Sequence, residues 1–391
     1  MDSLDLLARL LAHDSVSRNP NRVLVEEVAE LLRGAGLDPV ILPDASGGKA
    51  NLFVTAGPTD RAGVMLSGHT DVVPVDGQAW TVPPFALTRR DGRLYGRGAA
   101  DMKGFVACAL KAVLGAAQRD LRTPLHLALS YDEELGCLGV GSLIDMLAQV
   151  PHRPRLCIVG EPTGMQVATG HKGKIALRAT CTGREAHSAL APLGLNAIHL
   201  AADLLSRLRA LQEQLEREGP RDTDYDVPYT TVHAGRIDGG VALNIVPNRC
   251  ILDFEIRNVV EDDLPALVAE LRTEAEAIAH AARTNAPEAG ITIEELSSYP
   301  GLGTPTDAGA VRFVQSLTGA NGTTKVAFGT EGGLFSERLG VPTVICGPGS
   351  MAQGHKPDEY VTEEQLARCD AMLARLLDRL EAGLDHAPGA D

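Results

Sequence analysis

Helix-periodic stretches alternate with short apolar runs along this chain, and the alternation is broken once, in the middle, by a different pattern. Residues 4–12 and 25–32 repeat apolar side chains at helical spacing, whereas residues 52–55, 64–66, 125–129 and 156–159 are apolar runs of strand length. Such alternation predicts an α/β layer fold. Asp91 and Gly92, between residues 85–88 and 94–95, predict a hairpin turn. After Glu161 the pattern changes. A strand from Lys174 places Ile175, Leu177, Ala179 and Cys181 on one face, and a helix carrying Ala197, Ala201, Leu204, Leu205, Leu208 and Leu211 follows. Strands at 229–237 and 250–257 come next, then a helix with Leu264, Leu267, Val268, Leu271, Ala275 and Ile278 in register, then a strand at 291–296. The order is βαββαβ, the ferredoxin-like arrangement. The first pattern resumes with a helix near 307–317, strands at 325–328 and 343–346, and a long helix over 363–384.

Two domains are therefore expected: residues 1–173 with 297–391, and an inserted domain of residues 174–296. A chain of 391 residues also exceeds the length at which one hydrophobic core usually keeps growing. The tail from Asp385, with Pro388 and Gly389, is expected to be disordered.

Composition narrows the function. A net charge of -15 argues against binding a nucleic-acid phosphate backbone. No apolar run approaches the length of a membrane span, and no basic stretch leads into an apolar one at the start, so no membrane association and a cytoplasmic location are expected. Cys108, Cys137, Cys157, Cys181, Cys250, Cys346 and Cys369 form no CxxC pair and read as reduced core residues.

The chemistry lies at strand ends. His69, in Ser67-Gly68-His69-Thr70-Asp71, directly follows an apolar strand; Glu133 and Glu134 follow residues 125–129, Glu161 follows 156–159, and His355 lies in the loop after 343–346. Open α/β sheets bind ligands at the carboxyl ends of their strands. Asp101, in the glycine-rich stretch 96–104 before a helix at 105–116, would be delivered to the same edge. A lone glycine-flanked histidine or a pair of adjacent acids is usually structural or solvated, but five such positions at one edge are not. Two histidines with three carboxylates suit zinc or a neighbouring transition metal. Because a catalytic zinc keeps about three protein ligands and one open position, His69, Asp101, Glu134, Glu161 and His355 suit two metals sharing a bridging carboxylate.

The motifs Ser67 to Pro74, Gly96 to Gly104, Asp132-Glu133-Glu134, Gly160-Glu161-Pro162-Thr163 and the late His355 resemble the co-catalytic zinc exopeptidases and deacylases, a family that includes acetylornithine deacetylase, succinyl-diaminopimelate desuccinylase and aminoacylase. The resemblance spans nearly the whole chain. It implies an α/β/α zinc-exopeptidase-like catalytic domain with an inserted ferredoxin-like domain that serves as lid and dimerisation surface. It further implies two Zn2+, with Co2+ as a substitute, one on His69 and Glu161, the other on Glu134 and His355, with Asp101 between them. Glu133, beside a ligand, would be the general base and acid, and Asp71 would accept the other imidazole N–H of His69. His187 is either an exposed loop histidine or, as the resemblance implies, a residue that crosses a homodimer interface to the partner's oxyanion. Arg257 is either one half of a surface ion pair or a fork for a substrate carboxylate, aided by Asn244. Glu331 either faces a cationic substrate side chain or is a helix-entry carboxylate.

The wording around His171-Lys172-Gly173, 329–334 and 347–360 is most similar to acetylornithine deacetylase. The resemblance thus implies hydrolysis of N2-acetyl-L-ornithine to L-ornithine and acetate, a step of arginine biosynthesis. Another N-acyl amino acid, such as succinyl-diaminopimelate, or a dipeptide is the enzymatic alternative. A metal-binding interaction module that no longer catalyses is the alternative of another class, and the presence of Glu133 and Asp71 speaks against it.

Overall fold

A computed structural model describes residues 1–384. The apolar runs at 125–129, 64–66, 156–159 and 343–346 form four neighbouring strands, Leu125–Ser130, Val64–His69, Leu156–Pro162 and Thr343–Gly347, side by side in that order and parallel. Every residue in them is buried. A parallel sheet is covered on both faces, which is why these strands read as unbroken apolar stretches rather than as alternating ones. Ala50–Ala56 and Val40–Pro43 extend one side of the sheet in antiparallel pairing, and Val167–His171 with Leu302–Gly303 and Thr323–Val326 extends the other. Strand Val167–His171 was not expected. It is wholly buried, but Thr169, Gly170 and His171 interrupt its apolar character, so periodicity gave no sign of it.

Helix Lys103–Ala116 contacts this sheet as well as helices Ser3–Leu11 and Glu363–Ala382. It is buried almost all round, which accounts for its run of Phe105, Val106, Ala107, Cys108, Ala109 and Leu110. Thr362 caps Glu363–Ala382 by accepting the Gln365 N–H. The expected hairpin joins Thr88–Arg90 to Arg93–Tyr95, and Tyr360–Thr362 adds a third strand with Tyr360 opposite Tyr95. That register brings the chain after His355 alongside the stretch leading to Asp101.

The chain divides into two compact units, Met1–His171 with Leu302–Asp391, and Lys172–Gly301. The second unit interrupts the first in sequence, and the boundaries expected at 174 and 296 fall just inside it. Its strands, in sheet order, are Thr231–Gly239, Arg249–Asn258, Gly173–Thr182 and Gly290–Tyr299, all antiparallel, with helices Ala197–Glu218 and Leu264–Arg283 on one face. Gly173–Thr182 and Arg249–Asn258, first and third in chain order, are the central pair, the ferredoxin-like order. Ile175, Leu177, Ala179, Cys181, Leu252, Phe254 and Ile256 form the buried face, and their odd-even partners Arg178 and Asp253 pair on the other at 2.7 and 2.9 Å.

All seven cysteines are free and buried. Among the described residues, no helix is long and apolar enough to cross a membrane. The tail expected to be disordered lies outside the described residues.

Candidate metal centre

Parallel strands deliver the expected ligands to one edge. His69 closes Val64–His69 and stands opposite Ser130, the last residue of its neighbour, after which the chain turns to Glu133 and Glu134. Glu161 lies at the end of Leu156–Pro162, on the other side of the His69 strand. Just before it, Gly160 lies against the Phe105 ring: a Cβ there would stand 1.9 Å from a ring carbon, so only glycine lets the strand carry Glu161 so close to the buried helix. Asp101 arrives through a turn in which Gly98 takes φ +87°, a conformation that side chains strain to adopt. Lys103, two residues on, is buried and donates to the Leu10 and His13 carbonyls at 3.0 Å each, tying this turn to the N-terminal segment.

The two oxygens of Asp101 face different histidines. Oδ1 lies 3.1 Å from His69 Nε2, and Oδ2 lies 3.1 Å from His355 Nε2. His69 Nε2 is also 3.6 Å from Glu161, and His355 Nε2 is 3.2 Å from Glu134. The side chains thus fall into two groups, His69 with Glu161 and His355 with Glu134, joined by one carboxylate. Donor atoms of His69, Asp101 and Glu134 lie within 4.8 Å of one another, as do those of His69, Glu133 and Glu161. Geometry alone thus admits Glu133 as a ligand in place of Asp101. The divided carboxylate of Asp101 favours Asp101 as the shared ligand and leaves Glu133 free for proton transfer.

Electrostatics argue that this cluster is built for cations. Burial, together with the neighbouring acids, raises Glu133 and Glu161 well above the usual carboxylate range and Glu134 to about 7. Asp101 is held well below that range, because His355 and His69 outweigh its burial. His355, hydrogen-bonded by Asp101 and Glu134, is raised to about 10. With all four ionised, the buried Asp101 and Glu161 and the half-buried Glu133 and Glu134 would carry more negative charge than two imidazoles offset, and such charge is costly unless paired. Two divalent cations on this nitrogen and oxygen set fit that excess.

A proton count follows from these shifts. His355, raised to about 10, is charged at pH 7, and the raised Glu134 carboxyl holds its proton more tightly than a free one; each must be deprotonated to bind a cation. Zinc uptake by the chelator-stripped protein is therefore expected to release at least one proton at pH 7. Affinity should weaken as pH falls, by about tenfold per pH unit for each proton released. Calorimetry in buffers of different ionisation enthalpy reads that count, and a count of zero would contradict the donor set.

Asp71 holds more than the histidine it was expected to serve. His69 Nδ1 lies 2.9 Å from the Asp71 main-chain carbonyl and 3.5 Å from its carboxylate, so the carbonyl makes the closer contact. The carboxylate instead accepts the N–H groups of Glu133 and Glu134, at 3.1 and 3.2 Å, and the Ser17 hydroxyl at 2.7 Å. One residue therefore contacts a candidate ligand histidine and the backbone of both glutamates. Ser17 carried no sequence signal, since it belongs to no motif and lies 54 positions from its partner. Cys137 was read only as a core residue, yet its thiol donates to Glu133 Oε1 at 3.5 Å.

In the smaller unit, His187 is exposed, and its Nδ1 accepts the Ala189 N–H at 3.1 Å. His187 and Asn244 are neighbours, because His187 bridges Ile245 and the Asn244 carbonyl accepts the Ser188 N–H at 3.0 Å. Arg257 makes an ion pair with Glu255 at 3.0 Å, and its Nη1 donates to the Tyr299 hydroxyl at 3.0 Å. Glu331, in the larger unit, stands at the entry of helix Gly332–Leu339 and is 2% exposed, with burial pushing its carboxyl up to about 7. It is as buried as the candidate ligands His69 and Glu161.

A family model described as Peptidase family M20/M25/M40 matches residues 65–379. The chain belongs to that family. Acetylornithine deacetylase of Myxococcus xanthus is 38% identical over 374 residues, 94% of this chain and 95% of that protein. The enzyme of the same name from Pasteurella multocida (strain Pm70) is 33% identical over 366 residues, 93% and 92% of the two chains. Among solved structures, the M20 family metallo-carboxypeptidase Sso-CP2 from Sulfolobus solfataricus aligns with TM-score 0.77 at 19% identity, over 98% of this chain and 100% of that one. The YXEP protein of Bacillus subtilis, described as a dinuclear metal binding peptidase from the M20 family, aligns with TM-score 0.68 at 14% identity over 96% of each chain. These two likenesses establish the fold. As an M20 family member the chain is a metal-dependent hydrolase with a candidate dinuclear centre.

Proposed function

We propose that the chain removes the acetyl group from N2-acetyl-L-ornithine, giving L-ornithine and acetate, with two zinc ions in the centre formed by His69, Asp101, Glu134, Glu161 and His355. The division of the Asp101 carboxylate between two histidine-carboxylate groups supports a dinuclear hydrolase. Relatives named acetylornithine deacetylase, at 32–38% identity over nearly the whole chain, support the substrate. Seven buried thiols suit a reducing cytoplasm, where a biosynthetic step of this kind would run. A panel of N-acetyl, N-succinyl and dipeptide substrates, assayed with zinc and with cobalt, tests the reading. Preference for a succinylated amino acid or a dipeptide would overturn it.

His69 and Glu161 would hold one cation, Glu134 and His355 the other, and Asp101 both. Such a pair supplies Lewis acidity, drawing charge from the scissile carbonyl and acidifying the attacking water. The rest is the work of side chains. Glu133 takes the proton of that water and passes it to the departing amine; burial, which raises its proton affinity, suits it to accept near neutral pH. Asp71 keeps the Glu133 and Glu134 amides in place while its carbonyl orients His69. Arg257 and Asn244 would bind the substrate carboxylate.

The smaller unit would join two copies. Leu190, Leu193, Val241 and Leu243 are 54 to 101% exposed on the segments flanking His187 and Asn244, an apolar surface suited to a second copy of the chain. His187 would then serve the partner's oxyanion. Mixing His187→Ala chains with Glu133→Gln chains is expected to restore activity neither variant has alone, since one composite site keeps both residues. No restoration across mixing ratios would place the whole site within one chain.

A further inference from the structure

Two charged residues in the motifs around Asp101 and His355 take no part in the chemistry above, Arg97 and Glu359, and both are 1% exposed. They pair at 2.6 Å, Nη1 to Oε2. The other oxygen of Glu359 accepts the main-chain N–H groups of Ala100 at 2.9 Å and Asp101 at 3.0 Å. Glu359 therefore fixes the backbone that carries Asp101. Arg97 extends the chain of contacts: Nη2 donates to Gln78 Oε1 at 2.5 Å, and the guanidinium lies 5.0 Å from the Trp80 ring, whose Nε1 donates to the same Gln78 oxygen at 3.0 Å. Gln78 Nε2 then donates to the carbonyl of His355 at 3.1 Å. The circuit runs from the amide of one expected ligand to the carbonyl of another. Nearby, Asp358 accepts the Thr81 N–H and hydroxyl at 2.8 and 2.7 Å, so the segment holding Gln78 is tied to the His355 loop twice.

His355 has most need of such a tie. His69 and Glu161 belong to buried strands of the ladder, whereas His355 sits in a loop with φ +61° and a side chain 44% exposed. A buried ion pair also adds little net stability once its desolvation is counted, and Arg97 Nε has no hydrogen-bond partner among the described residues. The pair is better explained by the geometry it imposes.

We propose that Gln78, anchored by Arg97 and Glu359, is a positioning residue that holds His355 in register with Asp101. A cation held by Glu134 and His355 would then depend on Gln78, and one held by His69 and Glu161 would not. This rests on the dinuclear reading above.

The test titrates Co2+ into the chelator-stripped enzyme, following heat and cobalt absorption. Wild type is expected to take two equivalents. Gln78→Met removes both contacts of the amide at nearly equal length; Gln78→Glu keeps the acceptor for Arg97 and Trp80 and loses the donor to His355. Both variants should bind one equivalent as wild type does and the other about 10- to 100-fold more weakly. Two equivalents as tight as in wild type would overturn the proposal, and so would a parallel weakening of both, which general loosening produces. A wild type that takes only one equivalent would sink the dinuclear reading itself, and that outcome is visible before any variant is made.

Discussion

Glu133→Gln is expected to lower kcat by about 10²- to 10⁴-fold and to leave two metal equivalents bound. Glutamine keeps the size of the side chain, so the main-chain N–H groups of residues 133 and 134 still reach the Asp71 carboxylate and Glu134 stays in place. What disappears is the proton acceptor, because an amide does not take a proton from water near neutral pH. Steady-state kinetics beside metal analysis of the same sample separates the two effects. Normal turnover in a metal-replete sample would remove Glu133 from the reaction, and lost metal would make it a ligand, as its distance to His69 and Glu161 also allows.

Asp101→Ala should show the opposite pattern in metal content. Both groups of ligands lose their shared carboxylate, whose two oxygens stand 3.1 Å from His69 and from His355. At least one metal equivalent should be lost and kcat/KM should fall by about 10³-fold or more, since Lewis-acid stabilisation of the transition state is worth several kcal/mol. Excess zinc should restore little of it. Full occupancy with near-normal activity would mean that Asp101 does not join the two groups.

The candidate ligands were legible because of a geometric regularity. Parallel strands end on one edge, so residues at or beyond the end of each apolar run, as with His69, Glu134, Glu161 and His355, point to a common site even when the runs are far apart in sequence. The contacts that orient them were not legible in the same way. Glu359 reaches the amides of Ala100 and Asp101 across 259 and 258 positions, and Gln78 reaches His355 across 277. No spacing rule connects residues so distant. Arg97 and Glu359 stood inside recognised motifs, yet their roles depend on Tyr360 pairing with Tyr95, a register that local periodicity does not specify.

By itself, the sequence predicted a two-part organisation and a candidate ligand set. Those properties follow from the period of apolar side chains and from the types of residue at strand ends, which are local and countable. Tertiary structure alone decided which oxygen of Asp101 faces which histidine and that the Asp71 carbonyl lies closer to His69 than its carboxylate does. It also decided that Glu331 is buried. Each of these is a matter of a few ångströms between segments joined only by packing and strand register, and those distances exist only once the chain has closed on itself.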